Sequence, residues 1–172
     1  MGGVMYAPIN FFEIVSDYYA HMKKDLKPIP FIITLIISPF ILATIFFFIV
    51  GDKKEVYGNF VTVSAILIPL LLNLLMIVYY SLEKTERQKK TKIEYLEHLN
   101  STISMTTLTA IFVLILSLIL LNLDSNPLFF EFLLFYAIGF LIVNVIMSLV
   151  RVYRLIRHEI REKVIPNEYA TK

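Results

Sequence analysis

The sequence predicts an all-α membrane protein in which four transmembrane helices form a bundle. Hydrophobic residues make up 58% of the 172 residues and charged residues only 17%, which is far from the balance of soluble proteins. Four stretches that are almost free of charge are each long enough to cross a bilayer as a helix, which takes about 20 residues. Too little polar sequence remains to cover them in water. The predicted spans are residues 29–50, 60–80, 102–122 and 128–150.

The Lys and Arg residues lie mainly on one side of these spans. Residues 1–28, 81–101 and 151–172 together hold 14 of the 16, and the other two loops hold only Lys53 and Lys54. Basic residues flank membrane helices on the cytosolic side, so both termini and the middle loop are predicted to be cytosolic. Four spans independently require both termini to lie on the same side of the membrane, which agrees with the charge bias. We therefore expect a multi-pass protein of the bacterial inner membrane.

The segment of residues 1–28 is predicted to contain a short amphipathic helix. Asn10 can cap its start, and Glu13 follows at the spacing of a capping box. Apolar side chains recur at helical spacing on one face: Phe11, Phe12, Val15, Tyr18 and Tyr19. Such a helix can lie in the headgroup layer with its aromatic side chains turned inward. The alternative is that it packs on a neighbouring subunit.

Three helices are predicted to continue beyond the membrane on the cytosolic side. Residues 81–101 are rich in helix-forming residues and predict a helical hairpin with its turn near residues 88–91. The last helix meets no helix breaker until Pro166, so the basic tail, residues 151–172, is predicted to extend it. Together these extensions would form a cytosolic helical stalk.

Polar side chains are rare inside the spans. The amides of Asn73 and Asn144 need hydrogen-bond partners across a helix interface, within the bundle or an oligomer, although they could instead line a polar pathway. Small residues at four-residue spacing mark a close-packed contact, again within the chain or between subunits: Thr102, Thr106 and Ala110. Glu131, near the outer end of the last span, is expected to reach the membrane interface.

Four arginines of the basic tail recur every three or four residues and therefore fall near one helix face. They are Arg151, Arg154, Arg157 and Arg161. This pattern is typical of a helix that meets anionic lipid headgroups. The alternative is a surface that docks an acidic cytosolic protein, and direct nucleic-acid binding is not expected.

The sequence predicts no enzyme. It contains no glycine-rich phosphate loop, no nucleophile elbow and no HExxH metal motif, and its three histidines lie in separate segments. We expect no catalytic residue, metal or cofactor. The predicted function is that of a homo-oligomeric membrane subunit, which acts as a sensor, anchor or membrane effector together with a cytosolic partner. The alternative is an oligomeric pore or a holin-like protein that permeabilises the membrane.

The pattern of spans, the aromatic N-terminal helix and the basic tail around Arg151–Arg161 resemble the small membrane subunits of prokaryotic anti-phage systems, such as the Kiwa membrane protein. The resemblance covers the whole chain at the level of architecture. It implies a protein that detects disturbance of the membrane during infection and relays it to a cytosolic subunit.

Overall fold

A computed structural model describes residues 11–25, 27–50, 53–84, 90–123 and 128–164, and the regular elements of these ranges are all helices. They are α1 (Phe11–Asp25), α2 (Pro28–Ile32), a π-helical segment (Ile33–Ile37), α3 (Ser38–Ile49), α4 (Lys53–Lys84), α5 (Lys90–Asn122) and α6 (Leu128–Val164). Four helices are long and apolar enough to cross a membrane: Pro28–Ile49, Lys53–Leu82, Lys92–Asn122 and Leu128–Arg157. The predicted all-α class with four long apolar helices is confirmed.

Helices α5 and α6 form the centre of the bundle. In the most apolar part of each span, 50% of the residues of α5 and 56% of those of α6 are buried, against 17% in each of the other two. Helix α4 packs on α5, and α3 packs on α6. The flanking helices therefore expose large apolar side chains, such as Phe48 and Ile77, which lipid acyl chains can cover.

The long helices overrun the predicted spans. Helix α6 is continuous over 37 residues, or about 55 Å, against a hydrocarbon core of about 30 Å. Its predicted continuation into the basic tail is confirmed as far as Val164. Parts of other predictions lie outside the described residues: the cap Asn10, residues 88 and 89 of the turn predicted at 88–91, and residues 165–172.

The backbones of α3 and α6 approach each other closely where Pro39 faces Gly139. A π-helical segment precedes Pro39, and at its end the Ser38 N–H donates to the Ile33 carbonyl. This wider turn lies where a proline ring would clash with the preceding helical turn. Pro39 is buried against Gly139, where an added Cβ would lie only 2.7 Å from the Pro39 carbonyl oxygen. The two helices can pack this closely because residue 139 has no side chain.

An ion pair joins α4 to α6 at the end of the bundle where the two helices begin. The Lys53 Nζ lies 2.6 Å from Oε2 of Glu131, and the Tyr57 hydroxyl donates to Oε1 at 3.1 Å. The Lys53 ammonium also lies 4.9 Å from the centre of the Phe47 ring on α3. Glu131 is only 3% exposed, so its carboxylate is turned into the bundle, and its position at the membrane interface stays a prediction. Its burial is tolerated because both carboxylate oxygens have partners.

Candidate functional site at the basic end

The basic end is our name for the end of the bundle that carries α1, the first part of α5 and the last part of α6. Helix α1 is held there by Tyr18 and Met22, which are fully buried. The Tyr18 hydroxyl donates to Oδ1 of Asn144 at 2.6 Å, and the Asn144 amide donates to the Phe140 carbonyl at 2.8 Å. Burial raises the pKa of Tyr18, so its hydroxyl stays protonated as the donor.

Arg151 joins α1, α5 and α6 at the basic end. Its guanidinium donates to the His98 carbonyl at 3.1 Å and to the Thr102 hydroxyl, and it lies 3.2 Å from the sulfur of Met22. The Tyr95 hydroxyl donates in turn to the Arg151 backbone carbonyl at 2.5 Å. One cation therefore contacts both central helices and the N-terminal helix.

The predicted arginine stripe does not have one environment, because the Arg151 side chain lies inside the bundle and the next two arginines do not. Arg154 and Arg157 are exposed, whereas the Arg151 side chain lies between helices, where the backbone of α5 supplies an acceptor. Arg151 therefore makes contacts within the bundle, and its assignment to a surface that binds lipid or a partner stays a prediction. Binding by Arg154 and Arg157 stays a prediction, and the side chain of Arg161 lies outside the described residues.

Two histidines from distant parts of the sequence are stacked beside this network. The ring centroids of His21 on α1 and His98 on α5 are 4.3 Å apart, with 36° between the ring planes. Burial lowers the pKa of His21, and neighbouring His98 lowers it further, while Asp17 and Glu97 act in the opposite direction. Within the described ranges, no three His, Asp or Glu side chains are placed to hold a metal ion.

A polar cavity of about 340 Å³ lies between α1 and α5 next to His21. Its lining residues are Ile14, Asp17, His21, Glu97, Asn100, Ser101 and Ser104. The carboxylates, the amide and the hydroxyls can bind water or a small cationic group. Helix α1 therefore packs on α5 through a partly polar contact.

The predicted apolar face of α1 is divided between two environments. Tyr18 is buried and Val15 half-buried, whereas Phe11, Phe12 and Tyr19 are 57%, 75% and 42% exposed. The sequence left two alternatives for α1, a position in the headgroup layer or packing on another subunit. The structure shows a further contact, because α1 packs on its own bundle. Contact of its exposed aromatic side chains with lipid stays a prediction.

The predicted small-residue contact on α5 lies within the chain. Thr102, Thr106 and Ala110 are buried, and the two threonine hydroxyls donate to backbone carbonyls four residues earlier in the same helix. The two span asparagines differ from each other. Asn144 is fully buried and bonded, whereas Asn73 is exposed on α4.

No protein-family model matches the sequence, no curated protein is similar to it, and no solved structure matches the fold. The likeness to anti-phage membrane subunits therefore depends on the span pattern alone. The function has to be argued from the contacts at the basic end.

Proposed function

We propose that this protein is a non-enzymatic, homo-oligomeric subunit of the bacterial inner membrane. It senses the state of the membrane and transmits a change in that state to a cytosolic partner protein. The positive-inside rule places the basic end in the cytosol. There α1 exposes aromatic side chains to the lipid while it is bonded to the two central helices. The observation that carries the proposal is the position of Arg151, which contacts α1 and begins the exposed basic part of α6.

A change in lipid packing would act first on α1. Phe11 and Phe12 are its most exposed apolar side chains, and partitioning of such side chains depends on the packing of the headgroup region. Movement of α1 would break the contacts of Tyr18 and Met22 and remove one partner of Arg151. Because Arg151 is one helical turn from Arg154, the basic surface that follows would change its position or mobility.

The partner proposed here is a cytosolic protein with an acidic surface. Arg154 and Arg157 are both exposed and lie about one turn apart on α6. Arginine suits such contacts because its guanidinium binds carboxylates in a bidentate manner. A role in anti-phage defence, in which the partner is the effector, is the biological setting that the architecture favours.

Copurification from native membranes tests this proposal. The wild-type protein should bring down a soluble protein in constant ratio, and the double variant R154E/R157E should lose it. The control is K54E, which reverses the charge of one basic residue at the opposite end and should retain the partner. A monomeric protein from which no soluble protein copurifies, or equal binding by R154E/R157E, would contradict the proposal.

The second candidate is an oligomeric pore, which the outward position of Asn73 favours. The other side chains that would line such a pore, Asn144 and Thr106, are buried and bonded within the chain. Ion flux from liposomes that contain the purified protein separates the two functions. We expect no flux above that of empty liposomes, and a conductance that N73L abolishes would favour the pore instead.

A further inference from the structure

Asn73 differs in its hydrogen bonding from Asn122 and Asn144, two other asparagines of the long apolar helices. It lies well inside the Lys53–Leu82 span and is exposed. The Asn122 amide donates to the Leu118 carbonyl at 2.8 Å, and Asn144 is bonded on both sides. The Asn73 side chain makes no hydrogen bond within the described part of the chain. At this depth neither water nor acyl chains can supply one.

The residues around Asn73 form a regular stripe along α4. Six exposed residues follow each other at alternating steps of four and three, which we call the Asn73 stripe: Thr62, Ile66, Pro69, Asn73, Met76 and Tyr80. On the opposite side of α4, Ser64, Leu71 and Val78 are buried against the bundle. A repeat of 3.5 residues is the pattern by which two helices pack side by side at about 20°.

We propose that the Asn73 stripe is the contact between two copies of this chain, in which the Asn73 amides hydrogen bond to each other. An amide carries both donor and acceptor atoms, so its charge distribution is complementary to that of a second amide. Two copies inserted in the same direction hold Asn73 at the same depth, and a two-fold axis along the membrane normal brings the two side chains together. This inference rests on the homo-oligomer of the proposed function and names its surface.

The remainder of the stripe fits a dry helix–helix contact. The Thr62 hydroxyl is already bonded to the Gly58 carbonyl at 3.1 Å. The two stripe positions between Thr62 and Asn73 are Ile66 and Pro69, which offer no polar side chain to water or ions. A single polar residue within an apolar seam fixes register and partner number. The stripe is therefore suited to bind a copy of itself and poorly suited to line an aqueous pore.

Disulfide crosslinking tests the contact directly, because the chain contains no cysteine. Single cysteines are placed in the full chain at two stripe positions, I66C and M76C, with Asn73 intact. The matched controls are F112C on α5 and I146C on α6, which are exposed to a similar extent. On mild oxidation in membranes, I66C and M76C should form at least tenfold more covalent dimer than the controls. Equal crosslinking at all four positions would overturn the proposal.

The role of the amide is tested in the I66C background. N73L should reduce the dimer at least tenfold, whereas N73Q, which retains an amide, should retain most of it. Because Asn73 is exposed and makes no hydrogen bond within the described part of the chain, circular dichroism and thermal stability of the N73L monomer should match the wild type. A crosslink that N73L leaves unchanged would overturn the role of Asn73.

The mass of the intact complex in nanodiscs gives the number of copies of the chain. This number distinguishes failure of this inference from failure of the proposed function. A mass of two copies that falls to one in N73L supports the contact. An oligomer that persists in N73L and crosslinks through I146C would place the interface on α6, which overturns the Asn73 stripe and leaves the homo-oligomer intact. A single copy in the wild type would overturn both.

Discussion

The hydroxyl of Tyr18 and the amide of Asn144 lie 2.6 Å apart although 126 residues separate them in the sequence. This bond ties an N-terminal helix outside the four spans to a residue deep in the last one. Both side chains are fully buried, so neither can exchange its partner for water. The position of α1 and the packing of α6 are therefore coupled through one hydrogen bond.

Removal of the Tyr18 hydroxyl should weaken the attachment of α1. Tyr18→Phe leaves the Asn144 oxygen buried without a donor, which costs about 1–3 kcal/mol. The free energy of unfolding in mixed micelles, followed by helical circular dichroism, measures the loss. Tyr19→Phe is the control, because Tyr19 is 42% exposed and should change the stability by less than about 0.5 kcal/mol. An equal loss in both variants would mean that the hydrogen bond contributes nothing.

The helices and spans could be predicted from the sequence, but the neighbours of each side chain could not. Long charge-free stretches and helix-forming connections mark where helices run. They do not show which side of a helix faces lipid when that helix is apolar all round. Asn73 and Asn144 look equivalent in the sequence for this reason, and only the packing of α4 and α6 separates them.

The basic end shows the same limit of sequence reasoning. Spacing alone places Arg151 on a face with Arg154 and Arg157, and it cannot show that α1 and α5 cover the first of them. The contact of His21 with His98 depends on how α1 folds back on α5, so no local pattern could reveal it. The pairing of Glu131 with Lys53 joins two helices that are distant in the sequence, so no local pattern could reveal it either.

The Lys53–Glu131 pair should respond unequally to loss of either partner. Lys53→Met leaves a carboxylate whose side chain is only 4% exposed without its cation, and such losses cost about 3–5 kcal/mol. Glu131→Gln leaves Lys53, whose side chain is 33% exposed, free to reach water and should cost about 1 kcal/mol. Unfolding in mixed micelles measures both values. The double variant K53M/E131Q should be more stable than K53M alone, and equal effects of the two single changes would contradict this asymmetry.

Gly139 should not tolerate a methyl group. In Gly139→Ala the new Cβ would lie 2.7 Å from the Pro39 carbonyl oxygen and 3.2 Å from Leu42 Cβ, so α3 and α6 would have to separate, at a cost of about 1–3 kcal/mol. The control is Gly58→Ala, where nothing lies within 4 Å of the added atom. That change should be neutral or should stabilise α4 by up to about 1 kcal/mol. A stable G139A variant would show that the helices are not in close contact there.

Acidification should loosen α1 from the bundle. The pKa of His21 is lowered by burial and by His98, with a smaller contribution from Lys24, while Asp17 and Glu97 oppose the shift. The folded state therefore binds the His21 proton less readily than the unfolded state. Neutral His21 therefore contributes its full stabilisation at pH values above the ordinary histidine pKa of about 6.5. This stabilisation is lost as the pH falls through the lowered pKa of His21 in the folded state.

The movement of α1 away from the bundle can be measured in nanodiscs as the distance between two spin labels. The labels are attached at S16C on α1 and E94C on α5, which are both exposed positions. A single short distance at pH 7.5 should give way to a broader distribution at pH 5. The variant H21Q cannot gain the charge, so its distribution should change much less between the two values. If the wild type and H21Q broaden equally, groups other than His21 control the attachment of α1.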